Sequence, residues 1–320
     1  MRKLKNYSPI VIVGGQPKSI FYEIFLKSIK IKKFKSPIIL ISSKKILMKN
    51  MRKLKFEKKI KSINFKMLKN LKLDNKSINL IEVDFKKKDH INSNKFIENS
   101  FSLAFKIIKS GITNKFINGP ITKKKFLKKK HLGITEYISE KFSVKKNAML
   151  IYNKNLSVCP LTTHLPLKFV SKKINKKLIA EKVKLIHDFY FSMFNFKPKI
   201  AILGLNPHCE SIDDYNEDEK IISPAIKKLK KLKYKVSGPH SADTIFLRQN
   251  RVNYNVILGV YHDQVLTPIK TLFEYDAINI TLGLPFIRIS PDHGPNEKML
   301  GKNISNPLSL IRAISFLDKN

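Results

Sequence analysis

The chain has 320 residues, of which 42% are hydrophobic and 10% aromatic, and this composition argues against an intrinsically disordered protein. Its formal net charge of +39 comes from 63 lysine and arginine residues against 24 aspartate and glutamate residues. Such a charge can indicate a nucleic-acid or membrane partner, but the lysines are spread along the whole chain and no zinc-finger or aromatic RNA-binding signature accompanies them. We therefore expect no specific nucleic-acid partner, although small anionic substrates would be attracted.

The cysteines and the N-terminal residues indicate the cellular compartment that the sequence favours. The two cysteines, Cys159 and Cys209, form no CxxC pair, which makes a reducing cytoplasm the expected compartment. The apolar run at residues 9–13 is too short for a signal peptide or a membrane span. A cytoplasmic protein without a membrane partner is expected.

In the first third of the chain, short β-rich runs alternate with longer amphipathic runs. Strands are predicted at residues 9–13, 37–42, 78–83 and 115–117. Helices are predicted at residues 19–29, 44–56 and 97–110. Ser19 is the expected cap of the first helix, and Gly111 closes the third. This alternation predicts an α/β fold with a largely parallel sheet.

In the second half, three predicted strands are each followed by a histidine. The strands are at residues 156–159, 199–203 and 256–260, and the histidines are His164, His208 and His262. Because the carboxyl ends of parallel strands share one edge of a sheet, the three side chains could converge. Three imidazoles suit Zn²⁺ or a similar divalent ion with one position open for a substrate oxygen. Taken singly, each histidine can equally be an ordinary loop or capping residue.

Other chemistries find less support. The Gly14-Gly15 pair is not a GxGxxG fingerprint, and the chain contains no GxxxxGK[ST] loop. Cys209 beside His208 could form a nucleophilic dyad, but residues adjacent in sequence rarely achieve the required geometry. The dyad remains a weaker alternative.

Several motifs occur in a fixed order along the second half of the chain. They are Thr162-Thr-His-Leu-Pro-Leu167, Gly204-Leu-Asn-Pro-His208, Ala242-Asp-Thr-Ile-Phe246, Tyr261-His-Asp-Gln264, Asn279-Ile-Thr-Leu-Gly-Leu-Pro-Phe-Ile-Arg288 and Asp292-His-Gly294. Together they resemble the successive motifs of the 4-hydroxythreonine-4-phosphate dehydrogenase family of pyridoxal phosphate biosynthesis. Weaker similarity occurs at Gly119-Pro-Ile-Thr-Lys123 and near Gly15.

The resemblance implies a particular fold. It is the two-lobed α/β/α sandwich of the isocitrate and isopropylmalate dehydrogenases, with the active site in the cleft between the lobes. We expect one such unit over residues 1–320, with lobe 1 at about 1–124 plus 262–320 and lobe 2 at about 125–261. The resemblance also implies a homodimer whose active site lies at the subunit interface. That superfamily binds NAD without GxGxxG, so the missing fingerprint is no objection.

Roles for individual residues also follow from the resemblance. His164, His208 and His262 match the family's metal ligands, for Zn, Mg or Co, and are candidate catalytic residues together with Lys270. Thr135, Lys270, Asn279 and Arg288 match its substrate contacts. The implied cofactor is NAD or NADP, and the implied substrate is a small phosphorylated hydroxy-amino acid. No cofactor-binding residue is assigned. Asp243 and Asp263 are candidates either for the proton acceptor or for orienting a ligand histidine.

The chain departs from the family pattern at several places. Ile134 stands where the family has a substrate-binding histidine. The family's Gly-Asp-Pro-Ala-Gly-Ile-Gly reads Gly15-Gln-Pro-Lys-Ser-Ile-Phe21 here, and Pro295-Asn-Glu-Lys298 replaces small and acidic residues on the cofactor side. Three functions therefore stay open: oxidation of 4-phosphooxy-threonine, oxidation of another phosphorylated or aromatic hydroxy acid, or an inactive basic binding protein on the same scaffold.

Overall fold

The computed structural model describes residues 7–85, 90–122, 133–212, 214–291 and 294–318. The strands are, in chain order, β1 Ile10–Val13, β2 Ile38–Ser42, β3 Ile60–Ser62, β4 Ile78–Glu82, β5 Lys115–Asn118, β6 Ala148–Tyr152, β7 Ser157–Pro160, β8 Ile200–Leu203, β9 Val236–His240, β10 Val256–Gly259, β11 Ile278–Leu282 and β12 Ile287–Pro291. The α-helices are α1 Phe21–Ile31, α2 Lys44–Lys53, α3 His90–Lys109, α4 Ile134–Lys141, α5 Val170–Lys173, α6 Lys176–Phe194, α7 Ser223–Lys231, α8 Arg248–Arg251, α9 His262–Phe273 and α10 Leu308–Leu317. In these ranges no helix combines the length and apolarity needed to cross a membrane.

The chain divides into two compact units. One consists of Met1–Ile134 with Pro285–Asn320, and the other of Thr135–Leu284. Residues 262–284, expected in the first lobe, therefore belong to the second unit. The reason is packing: β11 pairs with β6, and the apolar face of α9 packs in the core cluster of β7 and β10.

The first unit contains strands in the order β3-β4-β2-β1-β5-β12, and every pairing between them is parallel. Every residue of β1 and β2 is buried, and all but Ser42 are apolar, which is typical of strands covered on both faces. The predicted parallel α/β architecture is confirmed. The short strand β3 was not predicted, because only one of its three residues is apolar.

The second unit contains strands in the order β11-β6-β7-β10-β8-β9. β7, β10, β8 and β9 run parallel, whereas β6 is antiparallel to both β7 and β11. Its core cluster combines strand residues such as Val158 and Ile257 with Val265 and Ile269 of α9. This packing fixes the helix that begins at His262.

Two helices begin at residues other than those predicted from the sequence. The first helix begins at Phe21 rather than at Ser19, and the Ser19 hydroxyl donates back to Gln16 O at 2.8 Å. The N-cap residue is Ile20, one position after the predicted Ser19, although Ser19 Oγ also accepts a hydrogen bond from Phe21 N at 3.4 Å at the start of the helix. α3 begins at His90, before the predicted start at residue 97, and it ends as expected before Gly111, whose φ is +76°.

A buried carboxylate joins α1 to a turn near the C-terminus. Glu23 Oε1 accepts hydrogen bonds from Lys27 Nζ at 2.9 Å and from Ser305 N at 2.8 Å. Lys27 Nζ also donates to Asn303 O and Ser305 O, each at 2.9 Å. Burial, the largest influence, raises the pKa of Glu23, but the hydrogen bonds from Lys27 and Ser305 outweigh it, so the pKa lies below its ordinary value.

Glu23→Gln is expected to lower the free energy of unfolding by roughly 1–3 kcal/mol near neutral pH, because it removes a charge-assisted acceptor. A carboxyl whose pKa is lowered by folding contributes stability above its unfolded pKa, and loses it as the pH falls through its folded pKa. The difference between the two proteins in urea unfolding should therefore shrink in acid. Glu57→Gln, at an exposed position, is the matched control. An equal difference at neutral and acidic pH would contradict this assignment.

Candidate active site

Three neighbouring strands of the second unit each lead to one histidine. β7, β10 and β8 lie side by side, and both pairings are parallel. His164 follows β7, His208 follows β8, and His262 follows β10 as the first residue of α9. The predicted placement of the three histidines after parallel strands is observed.

The loop that carries His164 is held against the end of β10. Leu161 N donates to Gly259 O at 2.8 Å, and Thr162 Oγ1 donates to Val260 O at 2.9 Å. Leu161 and Thr162 are both buried. The sheet therefore sets the position of this loop.

The imidazoles of His164 and His262 are neighbours. Their ring centroids are 5.9 Å apart, and the rings are inclined by 35°. His262 Nδ1 lies 2.6 Å from Asp263 Oδ1. A carboxylate on Nδ1 fixes the tautomer and the orientation of an imidazole, and it leaves Nε2 as the nitrogen available to a ligand.

His208 lies in a tight turn, Pro207–Cys209, and its backbone is left-handed with a φ of 52°. The turn packs closely against the end of β8 at Gly204. A Cβ atom on Gly204 would meet Cys209 Sγ at 2.6 Å and Asp218 Oδ1 at 2.8 Å. Only glycine permits this approach, so Gly204 helps to define where His208 is presented.

Asp218 anchors the same loop, and sequence reasoning missed it. It is 1% exposed, and its carboxylate accepts hydrogen bonds from Leu205 N at 2.8 Å and Asn206 N at 3.0 Å. In the sequence it stands between two glutamates, which is the pattern of a solvated acidic run. No feature of the sequence alone marks its buried role.

Gln264 is a second residue that sequence reasoning left without a role. Its Oε1 accepts from Val260 N at 2.7 Å, and its Nε2 donates to Gly204 O at 2.8 Å. It thereby joins the carboxyl ends of β10 and β8. We interpret Gln264 as a positioning residue for His208 and His262.

A cavity of about 330 Å³ lies at this edge of the second unit. Its lining includes His208, Asp243, Tyr261 and Gln264. Since Tyr261 and Gln264 flank His262 in sequence, the cavity connects the surroundings of two of the three histidines.

The histidine set has the chemistry of a divalent metal site. Imidazole nitrogen is a suitable ligand for Zn²⁺ and related ions, and Asp263 provides the carboxylate partner that ligand histidines commonly have. Within the described ranges, however, no three His, Cys, Asp or Glu side chains lie close enough together to hold a metal ion. The expected convergence of His164, His208 and His262 is therefore not observed within one chain. His208 is instead positioned by the loop that Asp218 anchors.

Asp243 and Cys209, two titratable groups near His208, have pKa values shifted in opposite directions. The hydrogen bond from Ser241 Oγ, at 2.5 Å, is the largest influence on Asp243 and lowers its pKa, and the charge of His208 acts in the same direction. A carboxylate with a lowered pKa is a weaker proton acceptor, which disfavours Asp243 as the base. Burial and Asp218 raise the pKa of the Cys209 thiol, which disfavours the cysteine nucleophile considered from the sequence.

The predicted substrate contacts in the second unit lie on three elements. Thr135 is half-buried in the first turn of α4, and Lys270 is exposed in the last turn of α9. Asn279 lies in β11, where its Oδ1 is buried and has no hydrogen-bond partner among the described residues. A buried acceptor of this kind suits a ligand that brings its own donor.

Arg288 lies in β12 of the first unit and is only 1% exposed. Its Nε donates to Asn118 Oδ1 at 2.7 Å, which fixes the plane of the guanidinium. Lys123, Asp292 and His293 of the predicted motifs lie outside the described residues.

A larger cavity, of about 460 Å³, lies in the first unit, and its lining includes Gln16, Thr122 and Glu297. Gln16 joins three segments there. Its backbone N donates to Pro120 O at 2.9 Å, its Oε1 accepts from Thr122 N at 3.0 Å, and its Nε2 donates to Glu297 Oε1 at 3.0 Å. These segments follow β1, β5 and β12, so the cavity is at the carboxyl ends of parallel strands, where α/β sheets bind ligands.

Sequence comparison relates the whole chain to a known family. The sequence model described as pyridoxal phosphate biosynthetic protein PdxA matches residues 33–317. The chain belongs to the PdxA family. A curated PdxA-family relative, the 4-hydroxythreonine-4-phosphate dehydrogenase of Sulfurihydrogenibium sp. (strain YO3AOP1), is 37% identical over 318 residues, which cover 95% of this chain and 96% of the relative.

Solved structures support the fold of this PdxA-family chain. The 4-hydroxythreonine-4-phosphate dehydrogenase of Klebsiella pneumoniae matches with a TM-score of 0.84 at 22% identity, covering 99% of this chain and 100% of that one. Isocitrate dehydrogenase of Methylococcus capsulatus matches with a TM-score of 0.50 at 9% identity, covering 97% and 84%. The isocitrate dehydrogenase-like fold expected from the sequence is confirmed.

Proposed function

We propose that this chain is a metal-dependent, nicotinamide-linked dehydrogenase of 4-phosphooxy-L-threonine in pyridoxal phosphate biosynthesis. The observation that carries the proposal is the delivery of His164, His208 and His262 by three adjacent parallel strands. The name and coverage of the Sulfurihydrogenibium relative support the same substrate.

The histidines and their partners hold and orient the reacting hydroxyl. A divalent ion bound by His164, His208 and His262 would supply Lewis-acid polarisation of the substrate's hydroxyl oxygen. Asp263 keeps the ring of His262 in the orientation that presents Nε2. Because no three described donors of one chain form a metal-binding group, we propose that the chain acts as a homodimer in which a second copy completes the donor set.

Four residues are proposed to bind the rest of the substrate. Arg288 and Lys270 would contact its anionic groups, since a guanidinium binds phosphate bidentately and an ammonium supplies a compact charge. The buried Oδ1 of Asn279 would accept a hydrogen bond from the substrate's amine. Thr135 would add a hydroxyl at the start of α4.

The proposed reaction balances without a further reactant. The C3–H bond of the substrate breaks and its hydride passes to the nicotinamide ring, while the C3 hydroxyl proton is lost to a base. The product, 2-amino-3-oxo-4-phosphooxybutanoate, is a β-keto acid. Its C1–C2 bond then breaks, CO₂ leaves, and the electron pair forms an enolate that is protonated to give 3-amino-2-oxopropyl phosphate.

We assign the dinucleotide to the cavity of the first unit. Its volume of about 460 Å³ is in the usual range for small-molecule sites. Phe85, Ile97 and Leu300 give it apolar surface for a flat base, and lysines give it positive charge for phosphates. It also lies at the carboxyl ends of parallel strands.

The proposal is tested by mixing the purified chain with 4-phosphooxy-L-threonine, a divalent metal salt and NAD or NADP. Absorbance of the reduced nicotinamide should rise, and a chelator should abolish the rise until metal is restored. If this substrate gives no signal with either cofactor while another phosphorylated or aromatic hydroxy acid does, the second candidate function is correct. That candidate is favoured by Ile134.

Ile134→His tests how much the isoleucine, in place of the family's histidine, affects activity on 4-phosphooxy-threonine. Ile134 is half-buried at the start of α4 and cannot form a side-chain hydrogen bond. A hydrogen bond to a charged partner contributes about 1.5–3 kcal/mol, or roughly tenfold to a hundredfold in binding. We expect kcat/KM for 4-phosphooxy-threonine to be unchanged or raised in the variant. A marked fall would show that isoleucine is adapted to a different substrate.

A further inference from the structure

Two of the three lysines that line the first-unit cavity lie on one face of α2. Ile46, Lys49, Asn50 and Lys53 all line the cavity, and they follow the i, i+3, i+4, i+7 spacing of a single face of α2. Leu47 of the same helix is completely buried, so the helix is held in place by its apolar side. Two ammonium groups one turn apart therefore belong to the cavity wall.

Lys53 is closely placed against a backbone turn. A Cβ atom on Gly301 would lie 3.2 Å from Lys53 Nζ, and Gly301 has a φ of +78°. A side chain at position 301 would thus displace the ammonium group. Within the described ranges, neither Lys49 nor Lys53 forms an ion pair.

The cavity has few opposing charges. Its lining contains Lys18, Lys49 and Lys53 but one carboxylate, Glu297, which already accepts a hydrogen bond from Gln16. The sequence departures noted above act in the same direction: Gln16 stands where the family pattern has aspartate, and Lys18 stands where it has alanine. The cavity wall of this chain therefore carries more positive charge than the family pattern would give it at these positions.

We propose that this cavity selects NADP over NAD, with Lys49 and Lys53 as the specificity-determining residues that contact the 2′-phosphate. The inference rests on the proposed function, because it assumes a nicotinamide dinucleotide in this cavity. NADP differs from NAD by one phosphate on the adenosine ribose. An acidic residue near that ribose favours the free 2′-hydroxyl, whereas a cation accommodates the phosphate. The apolar side chains of Ile46 and Phe85 would contact the adenine next to it.

The test measures binding and needs no turnover. Titration calorimetry is run with adenosine 2′,5′-bisphosphate and with adenosine 5′-monophosphate, and repeated with NADP and NAD. We expect the ligand with the 2′-phosphate to bind about tenfold more tightly in each pair, which corresponds to about one charge-assisted hydrogen bond. Lys53→Gln and Lys49→Gln should each remove most of this preference and change the affinity for adenosine 5′-monophosphate little.

Lys45→Gln is the matched control, because it removes the same charge from an exposed position of α2 that does not line the cavity. It should leave the preference intact, which separates a local contact from the general attraction of a chain with net charge +39. Equal affinity for the two ligands in the wild type would overturn the inference. The inference would also be overturned if Lys53→Gln weakened the binding of ligands with and without the 2′-phosphate equally. It would likewise be overturned if Lys45→Gln reduced the 2′-phosphate preference as much as Lys53→Gln does. A retained 2′-phosphate preference without oxidation of 4-phosphooxy-threonine would instead reject the substrate assignment alone.

Discussion

His262→Gln is expected to lower kcat/KM for 4-phosphooxy-threonine at least about 100-fold, since loss of about 3 kcal/mol of transition-state stabilisation gives that factor. The imidazole is replaced by an amide that is a poor metal ligand, and Asp263 loses the ring that it orients. The same variant should bind less Zn²⁺ or Co²⁺ in equilibrium dialysis. Because the His262 side chain is 34% exposed, the melting temperature of the variant should stay close to that of the wild type.

His187→Gln is the matched control for this prediction. His187 lies in α6, where it packs between Phe191 and Tyr234, and it follows no strand end. Activity and metal binding should both survive the substitution. If His262→Gln keeps the activity and the metal content of the wild type, the strand-end histidines are not a metal site.

Arg288→Lys is expected to raise KM for 4-phosphooxy-threonine and to lower kcat/KM by roughly 100-fold, because a lysine cannot reproduce a bidentate contact with phosphate. It also cannot replace the hydrogen bond from Nε to Asn118 Oδ1 that fixes the guanidinium plane. The change keeps the positive charge, so the loss measures geometry. The readout is steady-state kinetics with the substrate varied.

A melting curve distinguishes a substrate contact from a purely structural role for Arg288, which is 1% exposed. Arg52→Lys, at an exposed position of α2, is the control and should change neither KM nor the melting temperature. If Arg288→Lys lowers the melting temperature but leaves KM at the wild-type value, Arg288 stabilises the fold and does not contact the substrate.

The placement of the three histidines after strand ends was predictable because it depends only on local signals. Short apolar runs predicted β7, β8 and β10, and the alternation of elements predicted that they run parallel, but the order of the strands in the sheet was not predicted. It was harder to predict which of the three histidine side chains lie close together. His164 and His262 are brought together by hydrogen bonds from Leu161 and Thr162 to the β10 end, which no sequence pattern reveals.

Three polar residues that hold backbone groups in place were not predicted. Asp218 and Glu23 are buried and Gln264 is half-buried, although residues of these types are common on protein surfaces. Each has at least one backbone partner that no local sequence pattern indicates. The second boundary between the compact units lies after Leu284 rather than after residue 261, because the pairing of β11 with β6 joins residues far apart in the chain.

The most direct test of the central claim is product analysis of a single reaction containing the wild-type chain, 4-phosphooxy-L-threonine, a divalent metal salt and NADP. Mass spectrometry should detect 3-amino-2-oxopropyl phosphate, and CO₂ should be released in equal amount to the reduced nicotinamide. Parallel reactions with NAD and with other phosphorylated or aromatic hydroxy acids complete the measurement. Absence of both products from 4-phosphooxy-threonine with either cofactor, beside turnover of another hydroxy acid, would contradict the account.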